Sequence, residues 1–489
     1  MAVQDGGVTV PAETLAALRE VVGAKGCIEG ERLEPYTHDA TFVTGHVEAA
    51  LLPRSAAEVS RIMAICAAAR VPVVTRGAGT GLVGGASPIA GGIVLSTELM
   101  NSIEIDAPNS CAVVGPGAIN GDVRAAAAER GLTYPPDPAS WEMSSIGGNV
   151  ATNAGGMSCL KYGLTADYVL GMTVVLAGGA TLELGGRTRK RASGYRLLHL
   201  FIGSEGTLGV ITEICVRLIP RPKHRAVALV AYASTVDAGE AVTRLLGSGH
   251  MPSALELMDR GALDLVQAHL PAGLPAGLEA ILIVEQDGGD VDVVQGDLEA
   301  MVAILGGIDN RVAVDSLQAE RLWSARRSIG KVMMAMPGNN FSEDVAVPIG
   351  RIPEMLRRID KIKAETGLHI PVVGHAGDGN LHPVVIFEEA DRDKVGPAAA
   401  TIFADAVDLG GSISAEHGLG SLKRDHAVVE HAPEELELMA GIKRLLDPHG
   451  ILNPHKVLPE GPADGAFLER QPGWGRLNAA GRDKSELGA

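Results

Sequence analysis

The sequence predicts an α+β protein with more than one domain, and three observations lead to this class. The chain has 489 residues, which is enough for two or three separately packed domains. From Leu51 onward a strand, an amphipathic helix and a buried strand follow one another. After Arg221, helical patterns such as DAGEAVTRLLGSG alternate with strand patterns such as AILIVEQ. We therefore expect at least two units in which helices cover a sheet.

The first half of the chain combines helices with an unusually glycine-rich stretch. PAETLAALREVVG is typical of an amphipathic helix that opens on Pro11. Ser55 and Glu58 in SAAE form a capping-box pattern before the apolar period of VSRIMAICAAAR, and VPVVTR follows as a buried strand. Between positions 77 and 156 we expect short strands and turns, with one clear helix after Asn120.

The C-terminal part predicts a helix and then a stop. The pattern PEELELMAGIKRLLDPHGILNPHKVLP is typical of a helix that ends in a region rich in proline and glycine. The last thirty residues are polar and glycine-rich, which predicts a loosely ordered tail.

Composition and charge exclude several classes of protein. The chain has 42 Lys and Arg against 59 Asp and Glu, a net charge of −17, and no basic block or aromatic-basic stripe stands out, so we expect no nucleic-acid partner. No apolar run is long enough to predict a transmembrane segment. The cysteines are scattered and form no CxxC, which argues against disulfides and predicts a reducing, cytoplasmic compartment. They are Cys27, Cys66, Cys111, Cys159 and Cys215.

A dinucleotide-binding pattern is present but lacks its structural context. GTGLVG, from Gly79 to Gly84, fits GxGxxG, yet the glycines and the proline that follow leave no room for the required helix. What remains is a run of backbone amides from Gly77 to Gly81, next to Arg76, which could bind phosphate oxygens. A second small-residue run, SSIGGNVATNAGGMSCLKYG, offers another close approach of backbone. Two such loops favour a long ligand with a central diphosphate, and the alternative is glycine-rich turns that only close strands.

The stretch GHAGDGNLHPVV places two histidines around an Asp-Gly pair. Asp-Gly between apolar runs predicts a two-residue hairpin turn, which would pair His375 directly with His382. Opposed residues lie about 5 Å apart at Cβ, a distance that suits two imidazoles on one metal ion. The alternative is two histidines with ordinary hydrogen bonds near a strand end.

Several long motifs resemble one flavoprotein superfamily. PRSAAEVSRIMAICAAARVPVVTRGAGTGLVGGA, SSIGGNVATNAGG and FIGSEGTLGVITE resemble the FAD domain of the vanillyl-alcohol oxidase / p-cresol methylhydroxylase (PCMH) superfamily. GHAGDGNLHP, SISAEHGLG and DPHGILNPHK resemble its branch of FAD-dependent D-2-hydroxyacid dehydrogenases: D-lactate dehydrogenase, D-2-hydroxyglutarate dehydrogenase and the flavin subunit of glycolate oxidase. The resemblance implies a two-lobed PCMH-type FAD-binding domain, an inserted α/β (ferredoxin-like) cap domain and a C-terminal helical segment that returns to the flavin. The implied boundaries are 1–48 for an N-terminal helical segment, 49–222 for the FAD-binding domain, 223–425 for the cap, 426–459 for the closing segment and 460–489 for the tail.

The resemblance also implies the residues that contact FAD. Some relatives attach the flavin through a histidine in the first loop, and Thr80 stands at that place, so non-covalent FAD is expected. The residues implied for the diphosphate are Arg76, Gly77, Ala78, Gly79, Thr80 and Gly81, with Gly84 and Gly85 in support. Those implied for the rest of the flavin are Ser144, Ser145, Gly148, Asn149, Thr152, Asn153, Ala154, Gly156, Tyr162, Gly163, Glu205, Gly206, Val210, Ile211, Asn453 and Lys456.

Oxidation of a 2-hydroxy acid needs a cation for the carboxylate, a Lewis acid for the hydroxyl and a base for its proton. Arg326 in LWSARRS matches the family arginine that holds the carboxylate. His375, His382 and Glu416 match the family's metal ligands, and this nitrogen and oxygen set favours Zn²⁺, Mn²⁺ or Fe²⁺. His417 would be the general base, because histidine titrates near neutral pH.

One departure bears on the substrate. Ser342 stands where D-2-hydroxyglutarate dehydrogenases carry a lysine for a second carboxylate, so a small monocarboxylate, D-lactate or glycolate, is favoured over a dicarboxylate. The electron acceptor could be a protein, a quinone or oxygen, and a homodimer or partner subunits remain open, as does attachment to a membrane surface through the acceptor. The alternatives are a non-flavin hydrolase on the His-His-Glu set, a subunit that only relays electrons, and a transferase like alkyl-dihydroxyacetonephosphate synthase.

Overall fold

The computed structural model describes residues 8–267, 274, 277–335 and 339–474. Within these ranges the helices are α1 (Ala12–Gly26), α2 (Ala56–Ala69), α3 (Asn120–Ala128), α4 (Ile146–Thr152), α5 (Cys159–Tyr162), α6 (Leu198–Phe201), α7 (Thr235–Gly247), α8 (Arg260–Leu265), α9 (Val291–Leu305), α10 (Ser316–Ala335), α11 (Ile352–Thr366), α12 (Arg392–Asp408), α13 (Ala427–Glu430) and α14 (Pro433–Leu446). The strands are β1 (Cys27–Ile28), β2 (Ala49–Leu51), β3 (Val73–Arg76), β4 (Ile93–Ser96), β5 (Ile103–Asp106), β6 (Cys111–Val114), β7 (Leu132–Thr133), β8 (Val169–Val175), β9 (Thr181–Gly185), β10 (Val210–Arg217), β11 (Ile219–Pro220), β12 (His224–Tyr232), β13 (Ala254–Asp259), β14 (Ala280–Gly288), β15 (Asp309–Val312), β16 (Asn339–Ser342), β17 (Val345–Ala346), β18 (Val372–His375) and β19 (Asn380–Phe387).

The N-terminal half forms two lobes, each with its own sheet and core. The first sheet has the order β1-β2-β4-β3, and α1 and α2 pack against it around residues such as Ile62 and Leu95. The second sheet is antiparallel, with the order β5-β6-β10-β8-β9, and its core includes Tyr134 and Tyr168. The predicted capping box at the start of α2 is confirmed in part. Ser55 caps α2 by accepting from the amide of Glu58. The Glu58 side chain, however, accepts from the amide of Arg54, so the box is not completed.

A third, larger sheet forms the cap, and we call it the cap sheet. Its order is β15-β12-β14-β13-β18-β19-β16, with β17 also paired to β19. Helices α7, α9, α11 and α12 pack on one face, while α8 and α10 pack on the other. An apolar strand such as β14 is buried on both faces for this reason.

The chain returns to the first lobe after α14. The amide of Val73 donates to Ile451 O at 2.8 Å, and the amide of Asn453 donates to Val73 O at 2.8 Å, so this segment lies beside β3. The predicted α+β fold with a returning C-terminal segment is confirmed. The predicted loose tail is wrong for residues 460–474, because Phe467 and Trp474 are buried in the core of the cap, and the remainder of that tail lies outside the described residues.

No helix in the described ranges is long and apolar enough to cross a membrane.

Candidate active site

Two histidines and a glutamate converge beside the hairpin of β18 and β19. The rings of His375 and His382 meet edge to face, with centroids 5.3 Å apart. Glu416 Oε1 lies 3.3 Å from His375 Nε2 and 3.4 Å from His382 Nε2. The three side chains thus present ligand atoms to one point, and two imidazoles with one carboxylate are a donor set that suits a divalent transition metal ion.

The two histidines are not directly opposed, which corrects the predicted register of the hairpin. His375 pairs with Asn380, and His382 pairs with Val373. The loop comprises residues 376–379 and not the Asp-Gly pair alone, because the amide of Asp378 donates to His375 O at 3.2 Å. Residues offset by two along a strand still share one face of the sheet. The side chains therefore converge although the predicted pairing is wrong.

Glu256, on β13, joins the metal-ligand set to the predicted substrate arginine. Its Oε1 lies 2.6 Å from His375 Nδ1, and its Oε2 accepts a hydrogen bond of 2.7 Å from Arg326 Nε. The Glu256 side chain is fully buried, and within the described residues its charge is paired with Arg326 and His375. Burial by itself would lower the pKa of His375, but the carboxylates of Glu256 and Glu416 outweigh it and raise that pKa.

Glu256 was missed by the sequence analysis although a signal existed. It is the only charged residue inside the apolar stretch ALELM, and a charge in a buried strand must find a partner.

His417 lies beside the same set and is fixed through Asp344. Its ring stacks on His382 with centroids 5.1 Å apart and an interplanar angle of 18°. Asp344 Oδ2 accepts from the amides of Ala415, Glu416 and His417 at 2.9–3.0 Å. Burial lowers the pKa of His417, which keeps its imidazole neutral. Asp344 was also missed by sequence reasoning, and with His382 and His417 it forms a second group of possible metal ligands.

The segment that carries Glu416 and His417 touches the FAD-binding half of the chain. A Cβ added at Gly155, in the second glycine-rich loop, would lie 2.6 Å from Glu416 Oε2. Glu205 accepts hydrogen bonds of 2.8 Å from the amides of Leu419 and Gly420. The candidate metal ligands therefore lie directly against a loop that is implied to line the flavin.

The two glycine-rich loops meet each other. A Cβ at Gly77 would lie 2.3 Å from Ser145 Oγ, so only glycine allows this approach. Ser145 also caps α4 by accepting from the amide of Gly148 at 3.2 Å. Ser144 Oγ and Asn149 Nδ2 are buried and have no hydrogen-bond partner within the described part of the chain. Orphaned polar atoms beside two bare backbone loops fit a polar cofactor such as FAD.

The C-terminal return holds the first glycine-rich loop from behind. Lys456 Nζ donates to Gly84 O at 2.6 Å and to Ser87 O at 2.9 Å. Asn453 Nδ2 donates to Gly85 O and to Glu205 O, at 2.9 and 2.7 Å. Burial lowers the pKa of Lys456 to about 7. Lys456 Nζ and Asn453 Nδ2 thus fix the loop, whereas Asn453 Oδ1 is buried without a hydrogen-bond partner among the described residues.

For some of the other residues implied for the flavin the structure shows specific side-chain contacts or burial, and the rest lie on or beside the glycine-rich loops. Arg76 donates to His38 O at 2.5 Å, and its guanidinium lies against Gly79. The Tyr162 hydroxyl donates to Asp287 of the cap at 2.8 Å. Val210 and Ile211 are buried in β10. On or beside the glycine-rich loops lie Ala78, Thr80, Gly81, Thr152, Asn153, Ala154, Gly156, Gly163 and Gly206.

Comparison with known proteins identifies the class to which this fold and site belong. A family described as "FAD binding domain" matches residues 47–185, and one described as "FAD linked oxidases, C-terminal domain" matches residues 221–457. The chain is 39% identical over 444 residues to glycolate oxidase subunit GlcD of Bacillus subtilis, covering 89% of this chain and 94% of the relative. It is 34% identical over 464 residues to a D-lactate dehydrogenase of Anaerostipes hadrus, covering 92% and 98%.

The solved structure of p-cresol methylhydroxylase has the same fold, with a TM-score of 0.76 and 18% identity, and covers 91% of this chain and 96% of that one. The chain belongs to the FAD-linked oxidase family. It is therefore a flavoprotein oxidoreductase that binds FAD, and the resemblance to the hydroxyacid dehydrogenase branch of the PCMH superfamily is confirmed. A non-flavin hydrolase is excluded by this membership.

Proposed function

We propose that the protein oxidises a small D-2-hydroxy acid, D-lactate or glycolate, to the corresponding 2-oxo acid. The observation that carries the proposal is the contact between Glu416 and Gly155, because it brings the polar set of the cap against the loop implied to line the flavin. The names of the relatives, a glycolate oxidase subunit and a D-lactate dehydrogenase, support the same substrate class.

Two bound groups complete the chemistry. When bound, FAD would supply the acceptor for the hydride of the substrate, and a divalent Zn²⁺, Mn²⁺ or Fe²⁺ would supply a Lewis acid for the substrate hydroxyl. His375, His382 and Glu416 would hold the ion. Their Nε2 and Oε1 atoms already lie within 4.8 Å of one another.

Arg326 is proposed to bind the substrate carboxylate. Its Nε donates a hydrogen bond to Glu256, and the terminal nitrogens Nη1 and Nη2 have no hydrogen-bond partner within the described residues. Those two nitrogens form the end of the guanidinium fork, which matches the two oxygens of a carboxylate. Since the side chain is only 8% exposed, the charge is shielded from water and binds an anion more strongly than a surface arginine would.

His417 is proposed to take the proton of the substrate hydroxyl. Its Nε2 lies 3.9 Å from Glu416 Oε1, so it stands beside the ligand set without closing it. The amide of His417 is bound by Asp344, which fixes the backbone from which the imidazole extends. His417 Nδ1 and Asp344 Oδ1 are both buried without a hydrogen-bond partner among the described residues. Asp344 Oδ1 lies 3.7 Å from His382 Nδ1, and we propose that it accepts a hydrogen bond from His417 Nδ1 when the substrate is bound. That bond would leave Nε2 as the basic nitrogen.

We propose a monocarboxylate substrate because this chain has a serine where D-2-hydroxyglutarate dehydrogenases carry a lysine for the second carboxylate. Ser342 lies on β16, opposite Val384, and brings no charge. Lys423 is buried beside Asp344, but its ammonium group already has partners. Lys423 Nζ forms an ion pair with Glu343 at 3.1 Å and donates to the carbonyl of Asp344 at 2.9 Å. A substrate with a second carboxylate would therefore leave that group without a cation in this pocket.

Partner subunits and the electron acceptor belong to the same proposal. The Bacillus relative is named as a subunit, which favours transfer of electrons from the flavin to a partner protein, a quinone or oxygen. Since Arg326, His417 and the ligand set all lie on this chain, we propose that reduction of the flavin needs no partner.

The experiment is anaerobic reduction of the purified flavoprotein by a panel of D- and L-2-hydroxy acids, followed as loss of the flavin absorbance. We expect D-lactate or glycolate to bleach the flavin, and L-lactate and D-2-hydroxyglutarate to do so far more slowly. Parallel oxygen consumption and dye reduction with D-lactate separate an oxidase from a dehydrogenase. Fast bleaching by D-2-hydroxyglutarate would move the substrate to the dicarboxylates, and no bleaching by any hydroxy acid would reject the proposal.

A further inference from the structure

The segment at positions 187–200, which joins β9 to α6, is a concentrated basic region on an acidic protein. Its sequence RTRKRASGYRLLHL contains five Arg and Lys residues and no Asp or Glu, whereas the whole chain has a net charge of −17. The expectation that the chain lacks a basic block is wrong for this segment. β9 is an edge strand of the second sheet, so the segment leaves the protein at a border of that lobe.

Three of these cations have no compensating partner in the part of the chain that the structure describes. Arg187 is paired with Asp106 at 2.5 Å and with Glu104 at 3.4 Å. Arg189, Lys190 and Arg196 form no ion pair or side-chain hydrogen bond within the described ranges, and all three are exposed. Arg191 donates only to a backbone carbonyl and keeps its charge.

The same segment exposes large apolar side chains. Tyr195 is 95% exposed, Leu197 45% and Leu200 37%. Gly194 has a φ of +83°, and a Cβ at this position would meet no atom within 4 Å. The tip of the segment therefore projects from the protein, with a tyrosine at its end and free cations on both sides.

We infer that residues 187–200 form a docking surface for an anionic lipid membrane. Phosphate headgroups would bind Arg189, Lys190 and Arg196, while Tyr195 and the leucines enter the boundary between headgroups and acyl chains. A projecting tip reaches a flat lipid surface while the acidic remainder of the protein stays away from it. A nucleic acid makes no use of exposed leucines, whereas the boundary between lipid headgroups and acyl chains accepts them. The inference does not depend on which substrate is oxidised.

The test is co-sedimentation of the FAD-loaded protein with vesicles at low ionic strength. Vesicles of phosphatidylcholine alone are compared with vesicles that also contain phosphatidylglycerol. We expect binding to the anionic vesicles only, and release by added salt. The triple variant Arg189→Gln, Lys190→Gln, Arg196→Gln should bind about a hundredfold more weakly, since each cation near a membrane contributes about fivefold. Tyr195→Ser should weaken binding severalfold while keeping its salt dependence.

The matched control removes three exposed cations elsewhere: Lys25→Gln, Arg54→Gln, Arg61→Gln. Both triple variants change the net charge by the same amount, so equal losses of binding would show a non-specific effect of charge and overturn the inference. Failure of the unmodified protein to bind anionic vesicles would also overturn it and would favour an acidic protein as partner. Flavin content and thermal unfolding should be unchanged in all variants, because the altered side chains are exposed.

Discussion

Glu256→Gln separates two functions that one buried carboxylate performs in this structure. The carboxylate accepts from Arg326 Nε at 2.7 Å and lies 2.6 Å from His375 Nδ1. Glutamine has nearly the same shape, but it keeps one acceptor oxygen and turns an amide N–H toward the second donor. Either the His375 ring or the Arg326 guanidinium then faces an N–H donor instead of an acceptor, at a position where the Glu256 side chain is fully buried.

The cost follows from the loss of a charge-assisted bond in a fully buried site. Removing one partner of such a buried charge pair costs about 3–5 kcal/mol. Where the partner orients a metal-ligating histidine, the loss of metal affinity is about 10–100-fold. We therefore expect Glu256→Gln to bind Zn²⁺ or Mn²⁺ more weakly by that factor and to have a raised KM for D-lactate, because Arg326 loses its orientation. FAD content should stay normal, since the two side-chain partners of Glu256, Arg326 and His375, both belong to the cap.

The assay combines metal titration against a chelating dye, steady-state kinetics with D-lactate and urea unfolding. Glu285→Gln is the matched control: Glu285 lies on the neighbouring strand β14 and accepts from Trp323 Nε1 at 2.9 Å, a bond that glutamine can keep. The control should retain metal affinity and KM. If Glu256→Gln lost only stability, with metal affinity and KM equal to those of the control, the link between Arg326 and His375 would be structural and the reasoning refuted.

Four further predictions follow from the same site. Because Thr80 stands in place of a linking histidine, acid precipitation should leave the yellow flavin in the supernatant, and flavin in the pellet would contradict this. Arg326→Lys should retain FAD but lose at least about 2 kcal/mol of transition-state stabilisation, and an unchanged kcat/KM would remove Arg326 from the site. His375→Ala should lose metal and activity together, whereas His417→Ala should keep the metal and lose flavin reduction; elemental analysis separates the two. Burial raises the pKa of Glu205 from 4.5 to about 7, so its contribution to stability is complete below the lower value and is lost as the pH rises through the higher one. Urea unfolding of the flavin-free protein on both sides of that window should show this decline, and Glu205→Gln should make it smaller; burial also raises the pKa of Glu343 to about 7, so part of the decline should remain.

Sequence patterns predicted most of the elements and the identity of the convergent residues, but not how those residues are connected. The Asp-Gly pair predicted a tight two-residue turn, but Gly379 lies in a longer loop with a φ of +87°. The reason is that its carbonyl accepts a hydrogen bond of 3.0 Å from the amide of Val347. That bond is a contact with the residue that follows β17, and local turn preferences do not include it. Glu256 and Asp344 were missed for a similar reason. Each is a lone carboxylate in or beside a buried strand, and its partners come from distant parts of the chain.

The position of Glu416 and His417 relative to the flavin loops depends on two buried carboxylates, one on each side of the short segment that carries them. On the cap side, Asp344 Oδ2 accepts from the backbone amides up to His417. On the FAD-binding side, Glu205 accepts from the amides of Leu419 and Gly420. A Cβ at Gly418, between the two, would lie 2.6 Å from Glu205 Oε1, so the segment has no room to shift toward Glu205. The amides bound by Asp344, whose pKa is lowered because His417, Lys423 and His382 outweigh its burial, form charge-assisted hydrogen bonds, which are stronger than neutral ones. The candidate base and the nearest candidate metal ligand are thus placed by both halves of the chain at once, and neither half could form this site alone.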